Sequence, residues 1–205
     1  MTSNPERKRD GPTLAVGQRD WGSGAAEWAP PVFRTSWRPV MSSACLEPHR
    51  YSRPMRSDPF VPVGFVPPRS LVTDQFVLEP LGPQHNQDDY AAWTSSIEHI
   101  RATPGYPDGD WPPIDGMSVE ANLADLTRHA ADFASGKGFT FTVLDPDTGS
   151  VIGCVYLYPP EREGDVIVQS WVRADRSNLD RPLADAVASW LAAEWPWQRP
   201  DRCGR

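Results

Sequence analysis

Cysteine is scarce in this chain: Cys45, Cys154 and Cys203 stand far apart among 205 residues, with no CxxC pair or His/Cys cluster. Neither a disulfide framework nor a zinc site is built into such a pattern, and a reduced, cytoplasmic setting fits it. No apolar run approaches the roughly 18 residues that a membrane span needs. The opening "MTSNPERKRDGPTLAVGQRD" has basic residues but no hydrophobic stretch behind them, so no secretory leader is expected. Positive charge is also thin over most of the sequence. Residues 70–205 carry ten Lys/Arg against twenty-one Asp/Glu, whereas residues 1–69 carry ten against six. Nucleic acid and anionic membranes are held by basic patches, so an acidic domain excludes both as default partners. "SSIEH" and "HAADF" lack the His-Glu-x-x-His pattern of a metal site.

Proline is the residue in excess, at 23, about twice the usual share. Nearly half of it lies before Ser70. Residues 1–54 show neither strand nor helix periodicity and are rich in Pro, Arg, Gly, Ser and isolated Trp. Such a segment cannot bury enough surface to offset the entropy of ordering it. The expectation is a disordered Pro/Arg-rich tail, or upstream sequence joined by a misassigned start, with Met41 and Met55 as alternatives. Residues 55–71, with "VPVGFVPPRS", are an extended lead-in, and one domain is expected over residues 72–205.

Within that domain "FVLEPL" is a short strand stopped by Pro80. "HNQDDYAAWTSSIEHIRATPG" sets Tyr90, Trp93, Ile97 and Ile100 on one helical face, with Pro104 and Gly105 past its end. In "SVEANLADLTRHAADFASGKG" Ser118 can cap, Leu123, Leu126, Ala130 and Phe133 form the apolar stripe, and Gly136 and Gly138 end the helix. The loop between the two helices holds Trp111, an anchor packed on them or part of a substrate lid. "GFTFTVLDPDTGSVIGCVYLYPP" is a hairpin around Asp-Pro-Asp-Thr-Gly. "DVIVQSWVR" adds a third consecutive strand, and "DRPLADAVASWLAAEWPW" a helix that buries Leu183, Val187, Trp190 and Leu191. The class is α/β (α+β), in the order β-α-α-β-β-β-α.

This order resembles the GNAT superfamily of acyl-CoA-dependent N-acetyltransferases over residues 72–200, and the resemblance implies a mixed, mainly antiparallel sheet flanked by helices. "FVLEPLGPQHNQDDYAAW" is similar to its first strand and helix, "FTFTVLDPDTGSVIGCVYLYP" to its second and third strands, and "VIVQSWVRADRSNLDRPLADAVASWLAAEW" to its fourth strand and following helix. The resemblance implies acetyl-CoA as co-substrate and a small-molecule amine as acceptor. It also implies that strand 165–173 lies along the thioester, with backbone N–H near Ser170, Trp171 and Val172 facing the oxyanion if the strand bulges there. The turn after it would hold the CoA pyrophosphate on helix-terminal amides.

The family's turn reads Gln/Arg-x-x-Gly-x-Gly/Ala, and here the same place is "RSNLDR". Arg176 matches its first position, Leu179 and Arg181 replace small residues, and no glycine is present. Asp180, as an N-cap, would occupy amides that a phosphate would use, and Pro182 removes another donor. Arg173, Arg176 and Arg181, with Ser177 and Asn178 between them, can bind phosphate through side chains instead. "QRPDRCGR" alone follows the helix, so the family's fifth strand is expected to be no more than begun. Another segment or a second subunit, as in a homodimer, could complete the sheet. For the base that an attacking ammonium needs, Glu98 and His99, late in the first helix, are the candidates, ahead of Tyr156 and Tyr158. Cys154 is expected in the core, His85 in a local cap, and His129 at the solvent edge of its helix. The leading expectation is an N-acetyltransferase. The alternative is a GNAT-like module that binds a ligand or partner without turnover. A gap beside the fourth strand favours the first, a filled gap the second.

Overall fold

Runs of β-branched and aromatic residues form three long strands, β3 Phe139–Leu144, β4 Val151–Tyr158 and β5 Val166–Val172. The computed structural model of the chain describes residues 59–106, 111–160, 165–198 and 200–202, and the expected tail over residues 1–54 lies outside these. Two short strands, β1 Leu71–Val72 and β2 Val77–Pro80, come first, and β6 Pro200–Arg202 comes last. The sheet runs β1-β2-β3-β4-β5-β6 in space. Every neighbouring pair is antiparallel except β5 and β6, which are parallel. Helices α1 Asn86–Thr94, α2 Ile97–Ala102 and α3 Val119–Ser135 separate β2 from β3, and α4 Asp180–Glu194 follows β5. The α/β class and its order stand as the sequence implied, with β1 and β6 added.

The helix read as continuous across residues 86–102 is two helices, for a local reason. Thr94 Oγ1 donates to Tyr90 O at 2.6 Å and Ser95 Oγ to Ala92 O at 2.9 Å. Ser96 leaves the helical region at φ −135°. Consecutive hydroxyl side chains compete for the carbonyls that would continue a helix. α3 behaves as its sequence suggests at both ends: Ser118 Oγ accepts from Ala121 N–H, and Gly136 closes the helix at φ +67°. Its stripe differs at one place, because Leu123 is 41% exposed.

Period-2 alternation divides the sheet between two cores. Val155, Leu157, Val166 and Val172 face α4, which contributes Leu183, Val187, Trp190 and Leu191. Each of these four side chains contributes about 1.5–3 kcal/mol by leaving water. Cys154, Tyr156 and Trp171 face the other way, under Trp93, Ile100 and Leu126. Val143 pairs with Gly153 but Leu144 with Val151. Ile152 is therefore a bulged extra residue, and the strand changes face there. Ahead of the sheet, Phe60 stacks on Trp197 at 4.7 Å and accepts its indole N–H at 3.2 Å through the backbone carbonyl. Trp197 stacks in turn on Trp195. Part of the lead-in is thus built into the core beside the segment that joins α4 to β6.

Gly153 sits where β4 approaches β5 most tightly. A Cβ there would lie 2.3 Å from the backbone oxygen of Trp171, and a strand carbonyl cannot yield as a flexible side chain can. Gly153→Ala is expected to cost about 1–3 kcal/mol, read as a lowered urea midpoint, with parent-like stability as the contrary result.

Candidate active site beside the fifth strand

The backbone of β5 presents alternate groups to its two neighbours. Arg173 N–H donates to Ile152 O at 2.8 Å, and the β4–β5 register runs unbroken from Gly153↔Val172 to Tyr158↔Ile167. Hydrogen-bonding residues alternate along an antiparallel ladder. Arg173, Trp171 and Gln169 therefore address β4, while Ser170 and Val172 direct their N–H and C=O groups to the far edge. On that edge β6 pairs only with Val166, Ile167 and Val168. Among the described residues, no strand lies beside Gln169–Val172 there. The strand has no bulge at this point, so Trp171 presents no amide to the edge, and its buried indole N–H donates to Tyr156 OH at 3.3 Å.

Two helices flank this stretch from opposite faces. Ser96 Oγ accepts from Ala174 N–H at 3.0 Å, and Gln169 Nε2 donates to Gly105 O at 3.0 Å. These bonds pin the segment Ser96–Gly105, with α2 inside it, along the outer half of β5 on the Trp171 face. α4 leaves from the other face. A pocket of about 590 Å³ lies between them, lined by His99, Thr103 and Pro104 from the α2 side and Asp180, Arg181 and Asp185 from α4. His99 Nε2 is 2.9 Å from Asp180 Oδ2. Glu98 is exposed and does not line the pocket.

The arginine turn is a 3-10 segment, Ala174–Leu179, running straight into α4. Asp180 is not the cap that its sequence position suggested. Leu179 occupies the N-cap without a side-chain bond, because the preceding 3-10 turn already supplies acceptors, and the Asp180 carboxylate turns to His99 instead. Ala174 N–H is held by Ser96, Arg176 N–H donates to Arg173 O at 2.8 Å, and Asp180 N–H donates to Ser177 O. The arginines pair with carboxylates: Arg173 with Asp175 at 2.8 Å, Arg176 with Asp145 at 3.0 Å and Arg181 with Asp185 at 3.4 Å. Asp145 belongs to the β3–β4 turn, where the Thr148 N–H holds its carboxyl below the usual range. Ser177 and Asn178 are exposed. Ion pairs this exposed are worth at most about 1 kcal/mol, so an anionic ligand can exchange for them. Arg173 Nε is buried with no hydrogen-bond partner among the described residues.

The α1–α3 face is closed by a different chemistry. Trp111 sits among Trp93, Tyr106, Tyr156 and Trp171, with ring centroids 5.7–6.3 Å away. It is an anchor. Asn122 accepts the Trp93 indole N–H at 2.9 Å and donates to Asp89 Oδ2 at 3.0 Å. Burial raises the Asp89 carboxyl to about 6. His129, expected at the solvent edge, is 2% exposed, with Nδ1 2.9 Å from Thr140 Oγ1 and 2.7 Å from Tyr158 OH. The hydroxyls explain the difference, since they let an imidazole occupy an otherwise apolar interface. Burial pushes the thiol of Cys154 and the phenols of Tyr156 and Tyr158 upward, which leaves all three uncharged at neutral pH. His85 Nδ1 accepts from Gly82 N–H at 3.1 Å, the local cap that its position implied. Among the described residues, no group of His, Cys, Asp and Glu could hold a metal ion, and no helix is long and apolar enough to cross a membrane.

Ser96, Asp145 and Asp185 were not legible as site residues, since their partners or the pocket walls lie far away in sequence. No family model and no curated protein matches the sequence. Solved structures do match its fold. The microcin C7 self-immunity acetyltransferase MccE, in complex with acetyl-CoA and AMP, is 13% identical at TM-score 0.50, over 66% of this chain and 70% of its own. The ribosomal-protein-S5-alanine acetyltransferase of Vibrio fischeri is 12% identical at 0.48, over 60% and 66%. A GCN5-related N-acetyltransferase of Brucella melitensis is 18% identical at 0.46, over 65% and 59%. A Vibrio cholerae neighbour is spanned over 64% of its length, so the chain covers less than two thirds of several of these proteins. At such identities the likeness shows the fold, and the fold is that of the GNAT acetyltransferases.

Asp89 gives a pH test of the frame around the site. Its carboxyl titrates near 6 when folded, against 3.8 in a model peptide. Between those values the native state holds a proton that the unfolded chain has lost, so this group makes stability fall as pH rises from about 4 to 6, by up to about 3 kcal/mol. Asp89→Asn is expected to remove that fall. Unfolding curves of variant and parent that stay parallel from pH 4 to 7 would contradict it.

Proposed function

We propose that the chain is an acyl-CoA-dependent N-acyltransferase that moves an acetyl group from acetyl-CoA to a small-molecule amine. One observation carries the reading: the far-edge amides of Ser170 and Val172 lie buried where β6 pairing has stopped, on a stretch of β5 that α2 and α4 flank and that no strand covers among the described residues. A thioester lying along that stretch would place its carbonyl oxygen against a strand N–H. A preorganised donor of this kind is worth about 2.7–4 kcal/mol to the negative charge that develops when an amine attacks. Walls from both faces of the sheet would limit water around the reacting centre.

The residues present fit the phosphates through side chains. The amides of Ala174, Arg176 and Asp180 are committed, whereas Arg173 has a free buried donor and Arg176 is held by an exchangeable pair. Guanidinium groups bind phosphate oxygens with charge-assisted, often bidentate bonds. A second reading, a ligand-binding module without turnover, is favoured by those committed amides and by the absence of glycine from the turn.

Calorimetry on the full chain separates the two. Acetyl-CoA is expected to bind with micromolar affinity, Arg176→Ala to weaken binding about tenfold, and free thiol to appear when an amine acceptor is added. Binding without thiol release across a broad amine panel would leave the binding module. No binding to folded protein at millimolar acetyl-CoA would sink the acyltransferase.

A further inference from the structure

The inference concerns the proton that the amine must lose, and it rests on the acyltransfer reading above. An amine that arrives as an ammonium cannot attack until a base removes a proton. Of the two candidates on α2, the pocket includes His99 and leaves Glu98 outside. The neighbouring Arg101 is turned away, its guanidinium donating to Pro112 O at 2.8 Å. Facing His99 from α4 are Asp180, Arg181 and Asp185, and Arg181 is paired with Asp185. Asp180 Oδ2 lies 2.9 Å from His99 Nε2, within ion-pair distance but without a directed hydrogen bond, and both side chains are about one quarter exposed. This contact joins helices that lie on opposite faces of the sheet.

We propose that His99 is the general base of this site and that Asp180 is its positioning residue. The negative charge of Asp180 beside Nε2 favours a proton on that nitrogen, leaving the Nδ1 lone pair to accept a proton. His99 takes one proton from the attacking ammonium, the nitrogen forms its bond to the thioester carbon, and the carbonyl electron pair moves to oxygen. The carbon–sulfur bond then breaks, the nitrogen sheds its second proton to solvent, and the thiolate recovers the first from the imidazolium. Ammonium and thioester become amide, thiol and one solvent proton, and His99 ends neutral. Asp180 thus has a use in place of capping α4, and its contact with His99 holds α2 at the mouth of the pocket.

The test combines turnover with nitrogen-15 spectra of the imidazole on the full chain. His99→Gln is expected to lower kcat about 100-fold, with KM for acetyl-CoA within about twofold of the parent. Asp180→Asn is expected to lower kcat about tenfold and to move His99 from the Nε2–H tautomer to a mixture, and Asp180→Glu to restore most of both. A kcat that survives His99→Gln within twofold overturns the base. A His99 tautomer unmoved by Asp180→Asn overturns the pairing, whether or not the protein turns over. Acetyl-CoA binding without transfer by the parent overturns the acyltransfer reading itself and, with it, the role of His99 as base.

Discussion

One alternation of hydrogen bonds along β5 organises this protein. The bond from Arg173 N–H to Ile152 O sets the parity of the strand, and that parity commits Trp171 and Gln169 to β4 while it turns Ser170 and Val172 outward. Had the register slipped by one residue, the side chains would have changed face as well. Trp171 would then have faced α4, and the aromatic cluster around Trp111 would have lost its floor. Gly153 protects the register by allowing the two strands to approach at the end where the parity is fixed.

Ligand space beside β5 then follows from where its neighbours are tied down. Ser96 and Gly105 hold α2 along the outer half of the strand. Trp197, stacked between Phe60 and Trp195, holds the segment that leads into β6. β6 is brought to the first half of β5 and α2 to the second.

The fold was largely legible because it rests on local periodicity. Alternation in "FTFTVL" and "VIVQSWV" and the stripe through Leu183, Val187, Trp190 and Leu191 each read directly. Failures came where side-chain hydroxyls or distant partners decided the outcome. Thr94, Ser95 and Ser96 broke a helix whose apolar spacing continues through them. His129 entered the core because Thr140 and Tyr158 could receive it. Asp180 looked like a cap from its local sequence, yet its partner His99 lies 81 residues earlier. The site was legible only as a place in the fold, since the pairing of Arg176 with Asp145 and of Ser96 with Ala174 joins separate parts of the chain. Phosphate recognition by arginine side chains, as proposed, would tolerate Leu179 and Pro182, whereas a cradle of backbone amides would not.

The central claim is that the outer edge of β5 is the place where acetyl-CoA lies, and amide hydrogen exchange tests it residue by residue. In the free protein Trp171 N–H, tied to β4, should exchange more slowly than Ser170 and Val172 N–H, which are buried with no strand beside them among the described residues. Saturating acetyl-CoA should slow Ser170 and Val172 and leave Trp171 unchanged. Exchange at Ser170 and Val172 that saturating acetyl-CoA leaves unchanged would contradict the account.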